Sequence, residues 1–154
     1  MAKRLLTHTF HVDAPSEKVF EHLTTPESYV GLSPIVVAVR DVDRSEPGVI
    51  RYTAIERFRF LAGWWWKSGI THDNAIEVAL HTDGLSVYGE VRSPGGIRMA
   101  YRFSLTPDGT GTRVDDRLDM TAPWFLIGYA SGEARKVQLA RARILAQRLS
   151  TSPA

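Results

Sequence analysis

The chain has 154 residues, of which 44% are hydrophobic and 23% charged, and its formal net charge is +2. This composition is typical of one globular domain over residues 1–154, and it excludes disordered, collagen-like and coiled-coil chains. Because the chain has no cysteine, disulfides, thiol catalysis, zinc–thiolate sites and iron–sulfur clusters are excluded as well.

The balance of charges does not favour nucleic-acid binding, and we expect no nucleic-acid partner. The first residues contain a basic pair without a long apolar run behind it, so they do not resemble a signal peptide. The longest uncharged, largely apolar stretch, residues 60–66, is too short to span a bilayer. We therefore expect a soluble, cytoplasmic protein without an integral membrane segment.

The chain opens with a predicted strand and two short helices. Residues 5–12 alternate between apolar and polar side chains, which is the pattern of a strand with one buried face. Residues 13–17 carry a proline and two acidic residues, which favour the first turn of a helix. Pro26 ends that helix and starts a second short one.

Six further strands follow, separated by turn signals such as Asp83-Gly84. The alternating segments predict strands over residues 35–43, 49–60, 68–81, 85–92, 97–105 and 112–121. Sequential strands joined by short turns predict an antiparallel meander.

The last segment, residues 133–149, predicts a helix. Its apolar arc should bury Leu139, Leu145 and Leu149 and leave Arg143 and Gln147 exposed. Residues 150–154 should form a loose tail. The predicted fold class is therefore α+β: a strand, two short helices, a curved antiparallel sheet of about six further strands, and a long C-terminal helix over a cavity.

Two segments make the chain resemble a known superfamily. Residues 12–29, VDAPSEKVFEHLTTPESY, resemble its opening strand, Ala-Pro pair and helix. Residues 105–120, LTPDGTGTRVDDRLDM, resemble its late hairpin. With the order of elements over residues 3–149, they are similar to the helix-grip superfamily of START domains, polyketide cyclases and dehydrases, and pollen-allergen-like proteins (SRPBCC).

The resemblance implies an apolar cavity between sheet and helix. Its mouth would lie near residues 61–67, 93–96 and 123–133. The superfamily contains enzymes, lipid carriers and receptors, so the resemblance leaves the function open.

Five polar residues fall on the inward-facing positions of the predicted strands: His8, Glu56, His72, Asn74 and Asp116. A buried carboxylate needs a partner, and for Asp116 we expect His72, His8 or Arg102. A carboxylate beside a histidine is suited to acid–base catalysis, so the candidate catalytic residues are His8, Glu56, His72 and Asp116. Alternatively, a β-bulge would reverse the parity and leave these groups in water. No metal motif is present, and we expect neither a metal nor a cofactor.

Apolar and aromatic residues should line the cavity together with one polar residue, Asn74. The remaining candidate ligand contacts are Tyr52, Phe58, Phe60, Trp64, Trp65, Trp66, Met99, Tyr101, Phe103, Leu118, Met120, Trp124 and Tyr129. Three adjacent tryptophans cannot all face inward, so at least one should lie on the surface as a lid or as a contact that could join two copies in a homodimer.

The predicted function is the binding of a hydrophobic, aromatic or polycyclic small molecule in the cavity. The alternative is an enzyme of the polyketide cyclase, aromatase or dehydratase type that uses an acid–base pair there. Convergence of His8, Glu56, His72 or Asp116 would favour the enzyme, and an all-apolar cavity would favour the binding protein. A third interpretation, a lipid handler that touches membranes, requires an exposed tryptophan loop.

Overall fold

The computed structural model describes residues 1–60, 70–93 and 96–150, with the backbone alone for residues 58–60 and 70–74. The described part contains α1 (Ser16–Thr24), a short 3₁₀ helix (Pro26–Tyr29) and α2 (Ile127–Leu149). Its strands are β1 (Ala2–Val12), β2 (Val36–Asp43), β3 (Val49–Phe60), β4 (Ile70–Asp83), β5 (Ser86–Ser93), β6 (Ile97–Asp108) and β7 (Gly111–Ala122). The predicted α+β class and order of elements are confirmed.

Within the described residues, the strands form one seven-stranded antiparallel sheet in the order β1-β7-β6-β5-β4-β3-β2. The register shifts only in the pairing of the edge strand β2 with β3, where Asp41 has a φ of 55°. The pairings of β7 with β1 and β6 run without a shift. The inward parity predicted for these strands therefore holds along their whole length.

The predicted register of β6 and β7 is confirmed. Met99 pairs with Met120 and Tyr101 pairs with Leu118, and Phe103 is fully buried in the core. The core lies between this face of the sheet and the helices, because alternate residues of each strand point to the same side.

Helix α2 buries a face that differs from the predicted one. Leu145 is fully buried, as predicted, and Arg143 and Gln147 are exposed. Leu139 is 45% exposed, so its predicted burial is wrong, and Leu149 is only half-buried. The inward face instead carries two polar residues, Gln138 and Arg141, beside Ile127, Ala142 and Leu145.

No helix among the described residues is long and apolar enough to cross a membrane.

Candidate ligand site between the sheet and the long helix

A buried ion pair joins the sheet to α2. Asp116 on β7 is 2% exposed and Arg141 on α2 is 8% exposed. Nη2 of Arg141 donates a 2.8 Å hydrogen bond to Oδ2 of Asp116. Burial alone would lower the pKa of Arg141, but the adjacent Asp116 carboxylate outweighs it and holds that pKa above its usual value. The guanidinium therefore remains charged inside the protein.

The inward position of Asp116 agrees with the prediction, but the expected partners His8 and Arg102 are wrong, and the side chain of the third, His72, lies outside the described residues. Arg102 lies on the outer face, with its guanidinium carbon 4.7 Å from the ring centre of Tyr88. His8 is the register partner of Asp116 on β1, yet its half-buried ring stacks on Phe10 at 5.7 Å. The carboxylate binds a residue of the helix instead, because Arg141 reaches it from the opposite side of the core.

The ion pair leaves two buried polar atoms without a hydrogen bond. Among the described residues, neither Oδ1 of Asp116 nor Nε of Arg141 has a hydrogen-bond partner. Each such atom costs about 1–3 kcal/mol when it is shielded from water. One needs a donor and the other an acceptor, so a molecule that offers a hydroxyl and a carbonyl-type oxygen would satisfy both.

Aromatic rings surround the guanidinium of Arg141. Its central carbon lies 4.8 Å from the ring centre of Phe103 and 5.8 Å from that of Tyr101. Cation–π attraction in a desolvated site stabilises the charge and fixes the position of the side chain.

Three buried phenols lie beside this ion pair. The Tyr101 side chain interacts with those of Tyr29 and Tyr52, and the rings of Tyr29 and Tyr101 are 6.5 Å apart. Tyr29 also donates a 2.6 Å hydrogen bond to the Leu23 carbonyl. Burial raises the pKa of all three phenols, so their hydroxyl groups remain protonated, although that of Tyr29 is already used by Leu23.

Glu56 is a second buried carboxyl, on β3. It is 8% exposed, and burial raises its pKa to about 7. Among the described residues, burial is the one cause of this shift, and neither Asp116 nor Arg141 contributes to it. A carboxyl that exchanges its proton near neutral pH can act as a general acid or base.

The four candidate catalytic residues do not form one hydrogen-bonded group in the described part of the structure. Asp116 binds Arg141, His8 stacks on Phe10, and Glu56 has no hydrogen bond to another described side chain. The side chain of His72 lies outside the described residues. The same residues contain no group of three or more His, Asp or Glu placed to hold a metal ion.

Most predicted ligand contacts that the structure describes lie inside. Buried or half-buried positions are occupied by Tyr52, Met99, Tyr101, Phe103, Leu118 and Met120. Trp124 and Tyr129 do not lie inside: they are 79% and 60% exposed in the segment predicted to form the mouth, because Ile127 takes the inward position where α2 begins. The side chains of Phe58, Phe60 and Asn74, together with Trp64, Trp65 and Trp66, lie outside the described residues.

Sequence reasoning missed Arg141, Tyr29 and Gln138. Gln138 is fully buried, and its amide donates a 3.3 Å hydrogen bond to the Leu6 carbonyl. The available signal was the helical spacing of Gln138, Arg141 and Leu145, which puts all three on one arc. The polar residues on that arc are inside because the sheet supplies partners for them.

A model of the family described as polyketide cyclase / dehydrase and lipid transport matches residues 3–149. The chain belongs to this family. The predicted membership of the helix-grip superfamily is thereby confirmed. No curated protein matches the chain.

Solved structures with the same fold include the Zhui aromatase/cyclase from Streptomyces sp. R1128. It has a TM-score of 0.77 and 15% identity, with 96% of this chain and 94% of that chain covered. A START superfamily protein from Mycobacterium smegmatis has a TM-score of 0.67 and 17% identity over 94% and 96%. The di-domain protein BexL from the BE-7585A biosynthetic pathway has a TM-score of 0.75 and 14% identity. The match covers 98% of this chain but 51% of BexL, so this chain spans about half of that protein's length.

Proposed function

We propose that the protein binds an oxygen-substituted aromatic or polycyclic small molecule between the sheet and α2. The observation that carries this proposal is the buried Asp116–Arg141 pair, whose Oδ1 and Nε atoms have no partner among the described residues. Three phenols beside the pair add further hydrogen-bonding groups. Family membership supports binding of a hydrophobic molecule in general. The polar groups of the site favour a molecule that also carries oxygen atoms.

The apolar walls and the polar cluster would recognise different parts of one molecule. Met99, Phe103 and Leu118 lie on the inward face and would contact a flat ring system. Arg141 and the Tyr101 hydroxyl would donate to its carbonyl or phenol oxygens, while Asp116 would accept from a hydroxyl. A pure hydrocarbon chain would leave the same polar atoms unpaired, so it should bind more weakly.

Native mass spectrometry of the purified protein tests this proposal. We expect a co-purified molecule whose accurate mass and ultraviolet absorption indicate several oxygens on a conjugated ring system. A saturated fatty acid or phospholipid as the bound species would contradict the proposal. Asp116→Leu combined with Arg141→Met keeps side-chain volume in the core and should release the molecule.

An enzyme of the cyclase, aromatase or dehydratase type is the second candidate, and Glu56 favours it. In an intramolecular aldol cyclisation, the carboxylate would remove a proton from a carbon between two carbonyls, and the resulting enolate would attack a third carbonyl. The carboxylic acid would then return that proton to the new alkoxide oxygen, which gives the aldol hydroxyl. The carboxylate would next remove the second proton of the same carbon and deliver it to this hydroxyl, which leaves as water while the ring double bond forms. The structural similarity to an aromatase/cyclase supports this candidate at the level of fold.

The pH dependence of turnover distinguishes the enzyme from the binding protein. With a poly-β-ketone thioester as substrate, cyclisation should follow a group that titrates near pH 7, and Glu56→Gln should abolish it. Unchanged cyclisation by Glu56→Gln would exclude Glu56 as the acid–base group. If the wild type binds the ligand but does not cyclise the substrate, only the binding function is supported.

A further inference from the structure

The turn that precedes α2 and the first turn of that helix expose three aromatic side chains. Trp124, Phe125 and Tyr129 are 79%, 66% and 60% exposed. The rings of Trp124 and Phe125 meet edge to face, with centroids 5.8 Å apart. Large aromatic side chains that cluster in solvent mark a contact surface more often than scattered apolar residues do.

The backbone holds these aromatics outward. The Pro123 carbonyl accepts hydrogen bonds from the N–H groups of Leu126 (2.9 Å) and Ile127 (3.1 Å), which closes the turn. Ile127 is buried against Met120 and anchors the start of the helix. Trp124 and Phe125 therefore lie in an ordered turn between Pro123 and the buried Ile127, and their side chains project into solvent.

Basic residues line the same end of the sheet. Lys3 and Arg98 both pair with Thr121, which is three residues before Trp124, and Arg92 pairs with Arg98. All three basic side chains are exposed. Adjacent strands are about 4.8 Å apart, so these residues form a continuous row across four strands.

Four described acidic residues lie near this end, and two of them are paired. Asp119 accepts a hydrogen bond from Arg117, and Glu133 forms an ion pair with Lys136. The other two are Glu77, which follows Arg92 in the cross-strand row, and Glu90, which lies two residues before Arg92 on β5. The end of the sheet that carries the exposed aromatics therefore has an excess of positive charge.

We propose that this aromatic–basic edge, defined by Trp124, Phe125, Tyr129, Lys3 and Arg98, binds the surface of an anionic lipid bilayer. Tryptophan and tyrosine favour the interface between headgroups and hydrocarbon, where one part of the ring is apolar and another is wet. Lysine and arginine are attracted to anionic headgroups. A bilayer accepts projecting aromatic side chains without a matching pocket, whereas a protein partner would need a complementary surface of about 1,000 Å² or more.

Vesicle sedimentation with the full chain tests this proposal. Vesicles of phosphatidylcholine alone are compared with vesicles that contain phosphatidylglycerol, at low and high salt. We expect about tenfold or greater preference for the anionic vesicles, and a loss of that preference as salt screens the charges. The variant Trp124→Ala/Phe125→Ala and the variant Lys3→Glu/Arg98→Glu should each lose about tenfold or more of the binding.

Two control substitutions lie away from the aromatic–basic edge. Leu85→Ala removes an exposed apolar side chain from the turn between β4 and β5, and Lys18→Glu reverses an exposed charge on α1. Both should bind vesicles as the wild type does. Unchanged thermal unfolding of Trp124→Ala/Phe125→Ala would show that its loss of binding does not come from misfolding.

Three results would overturn the proposal. The first is no sedimentation of the wild type with anionic vesicles at low salt. The second is vesicle binding that soluble polyglutamate inhibits and that does not depend on Trp124 or Phe125. This result would indicate that the basic residues bind an acidic protein partner. The third is a dimer that dissociates in Trp124→Ala/Phe125→Ala while vesicle binding is absent, which would assign the patch to a second copy of the chain.

Discussion

Tyr101 on β6 lies against the backbone of Gly89, its register partner on β5. A methyl group on residue 89 would overlap the phenol ring of Tyr101, so only glycine leaves room for the ring there. This contact allows the Tyr101 side chain to reach those of Tyr29 and Tyr52 beside the Asp116–Arg141 pair. A residue without a side chain thus helps to place a hydrogen-bonding group of the proposed ligand site.

Gly89→Ala should therefore displace Tyr101 and destabilise the fold. Overpacking of a filled core costs about 1–3 kcal/mol, measured as a lower free energy of unfolding in urea. Gly128→Ala is the matched control, because a methyl group there meets no atom within 4 Å and the residue lies in α2. It should leave stability equal or raise it by about 0.4–1 kcal/mol. Equal stability of both variants would contradict the packing of Tyr101 on Gly89.

The buried ion pair should respond differently to single and double substitution. Asp116→Asn leaves the buried guanidinium of Arg141 without its counter-charge and should cost about 3–5 kcal/mol of unfolding free energy. Asp116→Leu combined with Arg141→Met removes both charges and should restore much of that loss. If the double variant is as unstable as Asp116→Asn, the uncompensated charge of Arg141 does not by itself explain the loss of stability.

Leu145 and Leu139 provide a direct test of which face of α2 is buried. Leu145→Ala should destabilise the protein by about 2–5 kcal/mol, because Leu145 is fully buried in the core. Leu139→Ala removes the same atoms from a side chain that is 45% exposed and should cost less than about 1 kcal/mol. Equal urea midpoints for the two variants would contradict the observed orientation of the helix.

Glu56 should make stability depend on pH. Its pKa is about 7 in the folded protein against 4.5 in the unfolded chain, so the folded state holds the proton more tightly. The stabilising contribution is present below pH 4.5 and is lost as pH rises through about 7. Relative to Glu56→Gln, the wild type should lose about 3 kcal/mol over this range.

Urea unfolding of both proteins at several pH values measures this difference. Glu90→Gln, on the exposed surface of β5, controls for the loss of a carboxylate. If the difference in unfolding free energy between the wild type and Glu56→Gln does not change with pH, Glu56 does not hold its proton more tightly in the folded state.

The strands and their inward faces could be predicted from the sequence because alternation reports directly on which side of a sheet is buried. Alternation predicts that Asp116, between Val114 and Leu118, points inward, and it does. The partner of Asp116 could not be predicted in the same way. Arg141 lies on a helix with basic residues at several positions, and a helix with mixed polarity has no single face that composition identifies.

Leu139 illustrates the same limit. Hydrophobicity alone favoured its burial, but Gln138 and Arg141 occupy the inward face because the Leu6 carbonyl and the Asp116 carboxylate bind them. Tertiary hydrogen bonds between elements far apart in the chain decided the orientation of α2. The helical spacing puts Gln138, Arg141 and Leu145 on one arc, but it does not indicate that distant strands supply partners for the two polar residues.

Isothermal titration calorimetry with a matched pair of ligands tests the proposed function most directly. A naphthalenediol with its hydroxyls in meta positions can hydrogen-bond to Asp116 and Arg141, whereas naphthalene has the same ring system without polar groups. We predict that the wild type binds the diol about tenfold or more tightly than naphthalene, and that Asp116→Leu/Arg141→Met loses this preference. Equal affinities in the wild type, or an unchanged preference in the double variant, would contradict recognition of ligand oxygens by the buried pair.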